Sequence, residues 1–106
     1  MSPGQNGSYR VNLAGVAVDQ LRQCMSQADR RGDGVAARHA AKLILHGLQT
    51  QPREFGEPRK LYRHLNIVSR IAVVRPLAVF FGVHQTLPLV FVRGFHLIST
   101  GEVRDL

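Results

Sequence analysis

The spacing of apolar residues changes several times along the chain. Tyr9-Arg10-Val11-Asn12-Leu13 alternates apolar with polar, the period of a short strand. From Ala14 to about Arg30 the spacing widens. Leu13, Ala17, Leu21, Cys24, Met25 and Ala28 recur at steps of three or four and form one stripe of an amphipathic helix, with Gly15 weakening its start slightly. Arg30-Arg31-Gly32-Asp33-Gly34 interrupts the stripe, since two glycines and an Asp favour a turn. A second helix is predicted from about Asp33, as N-cap, to about Leu48. Its apolar stripe is Ala36, Ala40, Leu43, Ile44 and Leu48, and Arg38, Lys42 and His46 lie off it. Two such helices joined by a short turn make an α-hairpin.

Gln49 to Pro58, with two prolines and a glycine, cannot continue the helix and reads as a loop that tucks Phe55 under the sheet edge. Leu61-Tyr62-Arg63-His64-Leu65 and Ile67-Val68 then return to strand-like composition. Arg70 to Ser99 is dense in Val, Ile, Phe and Leu, types that suit a pleated half-buried surface. Its one strong turn signal is His84-Gln85-Thr86-Leu87-Pro88, so 77–84 and 89–98 are predicted to pair as an antiparallel hairpin. The order is a strand, two helices, then three or four strands that pair by hairpins, and the expected fold class is α+β: a β-α-α-β-β-β two-layer sandwich, an antiparallel meander sheet with the α-hairpin on one face and the first strand added to the meander.

Composition adds a partner class. The chain of 106 residues suits one domain, 8–106, behind a tail at 1–7 whose Gly, Ser, Pro, Asn and Gln favour disorder. Fourteen Lys and Arg against seven Asp and Glu give +7, which favours nucleic acid, an acidic protein segment or an anionic surface. From Pro58 to Ile98 there is no Asp or Glu, whereas Arg59, Lys60, Arg63, Arg70, Arg75 and Arg93 all fall there, with His64, His84 and His96. A sheet so decorated is expected to meet something negative. Cys24 is the single cysteine and cannot form an internal disulfide, which suits a reducing compartment. No apolar run reaches the roughly 18 residues of a membrane span, and MSPGQNG lacks the apolar segment of a signal peptide. A cytoplasmic protein with no membrane partner is expected. Arg31-Gly32-Asp33 and the Asp29/Asp33 pair lack the further oxygen ligands that calcium needs and read as an interhelical turn.

The element order, the Phe55-Gly56-Glu57-Pro58 connection, and the pattern Leu77-Ala78-Val79-Phe80-Phe81-Gly82-Val83 followed by Leu89-Val90-Phe91-Val92 resemble the RelE/ParE superfamily of bacterial toxin–antitoxin toxins. The resemblance covers nearly the whole chain. It implies a basic sheet face that in the RelE branch cleaves messenger RNA on the ribosome and in the ParE branch serves inhibition of DNA gyrase. It also implies a hetero-oligomer with an acidic antitoxin protein. The RelE branch commonly carries an arginine near the start of the strand matching 77–83, where this chain has Leu77 and Ala78. That departure favours the alternative of a non-catalytic ParE-like or degenerate toxin that only binds an antitoxin or nucleic acid.

Metal-independent RNA cleavage by the 2′-OH needs a base, cations around the phosphate and an acid for the leaving oxygen; no cofactor is expected. The candidate acid/base residues are His96 and His64, with Tyr62 behind them, because imidazole titrates near neutrality. The candidate phosphate-binding residues are Arg59, Lys60, Arg63, Arg70, Arg75 and Arg93. Strand alternation leaves one question open. In a regular last strand Arg93 and His96 point oppositely, whereas a bulge at Gly94 would bring them together.

Overall fold

A computed structural model describes residues 8–98. In chain order these form β1 (Arg10–Leu13), α1 (Gly15–Arg30), α2 (Gly34–Thr50), β2 (Glu57–Tyr62), β3 (Ile67–Val74), β4 (Leu77–His84) and β5 (Leu89–Leu97). The five strands make one sheet in the order β1-β5-β4-β3-β2, with both helices on one face. The α+β two-layer class therefore holds. The tail expected at 1–7 lies outside the described residues.

Two details differ from the expected sheet. Four strands follow the helices, the larger of the two expected counts and one more than the β-α-α-β-β-β order, because Arg63-His64-Leu65-Asn66 is a turn: Leu65 N–H donates to Tyr62 O and Asn66 N–H to Arg63 O. Asn66 takes φ 55°, which Asn tolerates better than most residues. β2 to β5 form the antiparallel meander, but β1 runs parallel to β5, with Arg10 opposite Leu89 and Leu13 opposite Val92, so the sheet is mixed. Parallel neighbours need a long connection rather than a tight turn, and everything between Leu13 and Leu89 serves as one.

The central strand, β4, sends Leu77, Val79, Phe81 and Val83 toward the helices, all fully buried. Val90, Val92 and Phe95 of β5 and Ala72 of β3 join them, and Ala17, Cys24, Ala40, Ile44 and Leu48 close the core from the helices. The small residues of both helices allow close approach to the sheet. The buried stripe of α2 is Ala37, Ala40, Ile44 and Leu48, rotated slightly from the expected one: Leu43 is 45% exposed and Ala36 is exposed. Asp33 sits at the N-cap position but makes no cap bond. Its carboxylate instead accepts from Arg31 Nε at 2.6 Å, and Arg31 donates to Ile98 O at 2.8 Å, so the interhelical turn is tied to the end of β5. Phe55 goes further in than the sheet edge, its ring centroid 6.0 Å from that of Phe81 on the central strand.

The loop before β2 is fixed by two features. Gly56 has φ +75°, and a Cβ there would collide with the Ile71 carbonyl oxygen and with Ala72 Cβ. Arg70, on the helix side of β3, donates to Phe55 O (2.9 Å) and Gly56 O (3.0 Å). Gly56→Ala is thus expected to destabilise the fold by about 2–4 kcal/mol, since positive φ and a backbone collision add. Gly15→Ala, where a Cβ meets nothing within 4 Å, should lie between neutral and about 1 kcal/mol more stable. Urea midpoints of the two variants check both. Burial raises the Cys24 thiol above its usual range by desolvation. Because the thiolate is the nucleophile, iodoacetamide should label Cys24 slowly in the native chain and fully in denaturant.

Candidate functional site

The face of the sheet turned away from the helices carries the candidate chemistry, and cross-strand register states which residues share it. Ala78 lies opposite His96, Phe80 opposite Gly94 and Ile71, Gly82 opposite Phe91 and Ser69, and His84 opposite Ile67. Lys60 and Tyr62 extend these rows onto β2, opposite Ser69 and Ile67, while Arg10 and Asn12 extend them onto β1, opposite Leu89 and Phe91.

The question left open by alternation is answered at one point in the β4–β5 ladder. Phe81 pairs with Val92 but Phe80 pairs with Gly94, so β4 advances one residue while β5 advances two. Arg93 is the extra residue. The bulge lets Val92 and Phe95 both enter the core and leaves Arg93 and His96 both exposed on the open face. They line one cleft of about 480 Å³ with Phe80, Gly94, Phe95 and Gln20. Arg93 also borders a second groove, over Gly82, with Tyr62, Ile67, Ser69 and Phe91.

Gln20 explains how the bulge is held. β1 covers the outer edge of β5 only as far as Val92, whose carbonyl accepts Ala14 N–H at 3.3 Å. Beyond that point an edge of β5 would lack a partner. The Phe95 N–H donates instead to Gln20 Oε1 on α1, at 3.0 Å. A side chain at position 94 would displace that same Gln20 oxygen, so glycine there leaves room for the bond to Phe95.

The other candidates are distributed unevenly. Arg75, exposed, lies in the β3–β4 loop at the His96 end of the sheet, where Ile98 N–H donates to Pro76 O at 2.8 Å. Lys60 is on the open face, its Nζ 5.1 Å from the Tyr62 ring centroid. Arg59 is the extra residue of a separate irregularity in edge strand β2. Arg63 and His64 belong to the β2–β3 turn rather than to a strand. The row of Ala78 and the row of His84 are separated by six residues of β4, about 20 Å, so His64 and His96 are not brought to one site. Arg70 faces the helices and holds the loop before β2 rather than joining the open face. His84 organises its own turn, its Nδ1 accepting the N–H groups of Thr86 (3.2 Å) and Leu87 (3.0 Å).

Charge is segregated between the two layers. Among the described residues the ion pairs join Arg22 to Asp19, Arg31 to Asp33 and Arg38 to Asp29, all within the helices and their turn. Glu57, at the outer end of β2, is the one carboxylate in the strands, three strands away from Arg93. The open face can therefore hold an anion near Arg93, with an imidazole in the same cleft and aromatic surface beside it. Among the described residues no group of three His, Cys, Asp or Glu is placed to hold a metal ion, and no helix is long and apolar enough to cross a membrane.

Sequence reading missed Gln20, Phe80, Gly82 and Phe91 as site residues. Glycine inside a strand was the available signal at 82 and 94; nothing local marked Gln20, which acts across 75 positions of sequence. No family model, curated protein or solved structure matches the chain, so function is read from this geometry.

Gln20→Leu leaves the Phe95 N–H without its acceptor and is expected to cost about 1–3 kcal/mol. Gln20→Glu keeps an acceptor and should cost less. Urea unfolding together with faster hydrogen exchange at the Phe95 amide in Gln20→Leu alone checks this.

Proposed function

We propose that the chain is the toxin-like component of a toxin–antitoxin pair of the RelE/ParE kind, acting on RNA through the open sheet face. The observation that carries the proposal is the bulge that sets Arg93 and His96 in one cleft on a face poor in carboxylates. In this reading Arg93 sits against the scissile phosphate, where its charge opposes the negative charge that grows as the 2′-oxygen attacks phosphorus. His96 takes the proton of the 2′-OH as the 2′-oxygen bonds to phosphorus and the bond to the 5′-oxygen breaks, and water protonates the departing 5′-oxygen. The remaining acid-poor surface follows the phosphate backbone, and its affinity falls with salt as counterions are released. An acidic antitoxin segment covers the same cations and silences the chain, in a hetero-oligomer formed in the cytoplasm.

One observation favours a second, binding-only reading of the ParE kind. Cleavage needs two proton transfers, and the second candidate imidazole, His64, lies in a turn at the far end of the sheet from His96.

Primer extension on messenger RNA in a translating extract, with and without the purified chain, separates the two readings. The nuclease reading expects new 5′ ends with the wild type. It expects about 10²–10⁴-fold slower cleavage for His96→Ala and about 10²–10³-fold slower for Arg93→Ala. Intact message with all three proteins, together with growth arrest that His96→Ala leaves unchanged, contradicts it. Inhibition of gyrase supercoiling would then support the binding-only reading.

A further inference from the structure

The second groove on the open face is not used by the cleavage chemistry. Gly82 and Ser69 form its floor with Ile67, and Tyr62 on β2 and Phe91 on β5 stand on either side. It exists because Gly82 has no side chain: a Cβ there would meet Ile67 Cγ2 at 2.7 Å and fill the depression. Its volume is about 260 Å³, below the roughly 300–1,000 Å³ of a drug-sized site, and suits one planar ring system. We infer that this groove is a stacking slot for one unpaired nucleobase, so that the chain takes single-stranded rather than duplex RNA. The inference rests on the RNA reading above and specifies its substrate.

Three observations favour a base over an apolar side chain of a protein partner. Arg93 borders both the slot and the Arg93–His96 cleft, so a base in the slot has a cation beside it for the phosphate that leads toward the cleft. Lys60, on β2 opposite Ser69, holds a second cation 5.1 Å from the Tyr62 ring centroid, toward the sheet edge away from Arg93. Ser69 Oγ donates to Lys60 O at 3.3 Å, which leaves the hydroxyl oxygen as an acceptor on the floor, suited to a base N–H and wasted on an aliphatic group. Aromatic rings on a cationic sheet stack any exposed base, whereas bases inside a duplex keep their faces covered.

Fluorescence anisotropy of the full chain tests this with a labelled oligo(A) 12-mer, an abasic 12-mer of equal charge and a blunt duplex of the same length. Stacking contributes about 1–3 kcal/mol per base, so oligo(A) should bind about 5- to 150-fold more tightly than the abasic strand. Tyr62→Leu should abolish that difference and Tyr62→Phe keep it, and neither should move abasic binding. Gly82→Ala should act like Tyr62→Leu, and the tyrosine pair carries the test where that variant fails to fold. Arg93→Ala should weaken both strands by the same factor. Equal binding of oligo(A) and the abasic strand by the wild type overturns the slot and leaves the RNA reading standing, whereas absence of binding to any strand overturns both. An acidic peptide that loses affinity in Tyr62→Leu, while oligo(A) does not, assigns the slot to a protein partner and overturns the inference as well.

Discussion

Between Phe80 and Phe81 the β4–β5 ladder takes one step on one strand and two on the other, and the composition of the open face follows from that mismatch. The core demands Val92 and Phe95, three apart, on the helix side. Strict alternation cannot supply that spacing, since side chains of a regular strand return to the same face every second residue. Absorbing Arg93 as an extra residue satisfies the core. Its consequence on the other side is that a guanidinium and the His96 imidazole share a cleft. Packing and candidate chemistry are here two results of one register change.

The bulge in turn depends on the helical layer. Gln20 supplies the acceptor that β1 cannot, because β1 ends opposite Val92 and α1 begins almost at once. The same layer takes up acidic residues in local ion pairs with Arg22, Arg31 and Arg38. These exposed pairs contribute little to stability, roughly 0–1 kcal/mol each. The acids of these pairs stay with the helices, and Glu57 is the one carboxylate in β1–β5, while Lys60, Arg93 and Arg10 face outward from the sheet. At the opposite margin Arg70 belongs to the scaffold, since both of its hydrogen bonds end on carbonyls of the Phe55-Gly56 loop.

Much of the fold was legible because periodicity reports local burial. The seven- and four-residue steps of Ala17, Cys24 and Ala28 and the apolar density of Leu77–Val83 located α1 and β4 directly. The parallel placement of β1 was not legible, because it depends on which sheet edge is vacant rather than on any residue within Arg10–Leu13. His64 and Arg63 looked strand-like because Leu61, Tyr62, Leu65 and Ile67 surround them, and the turn rests on Asn66 adopting φ 55°. For Arg93 and His96 the sequence carried a conditional signal: Gly94 marks a possible bulge, but only the paired strand and Gln20 decide whether it forms. Composition alone groups Arg70 with the surface cations, whereas its face depends on cross-strand register with Phe81.

The position of the register change decides whether Arg93 and His96 share a face, and cross-strand nuclear Overhauser effects in isotopically labelled protein measure it directly. Contacts from Phe81 to Val92 and from Phe80 to Gly94, with Arg93 skipped and the Phe95 amide close to the Gln20 side chain, are the expected result. An uninterrupted ladder that pairs Phe80 with Arg93 and Val79 with Gly94 would put Arg93 and His96 on opposite faces and contradict it.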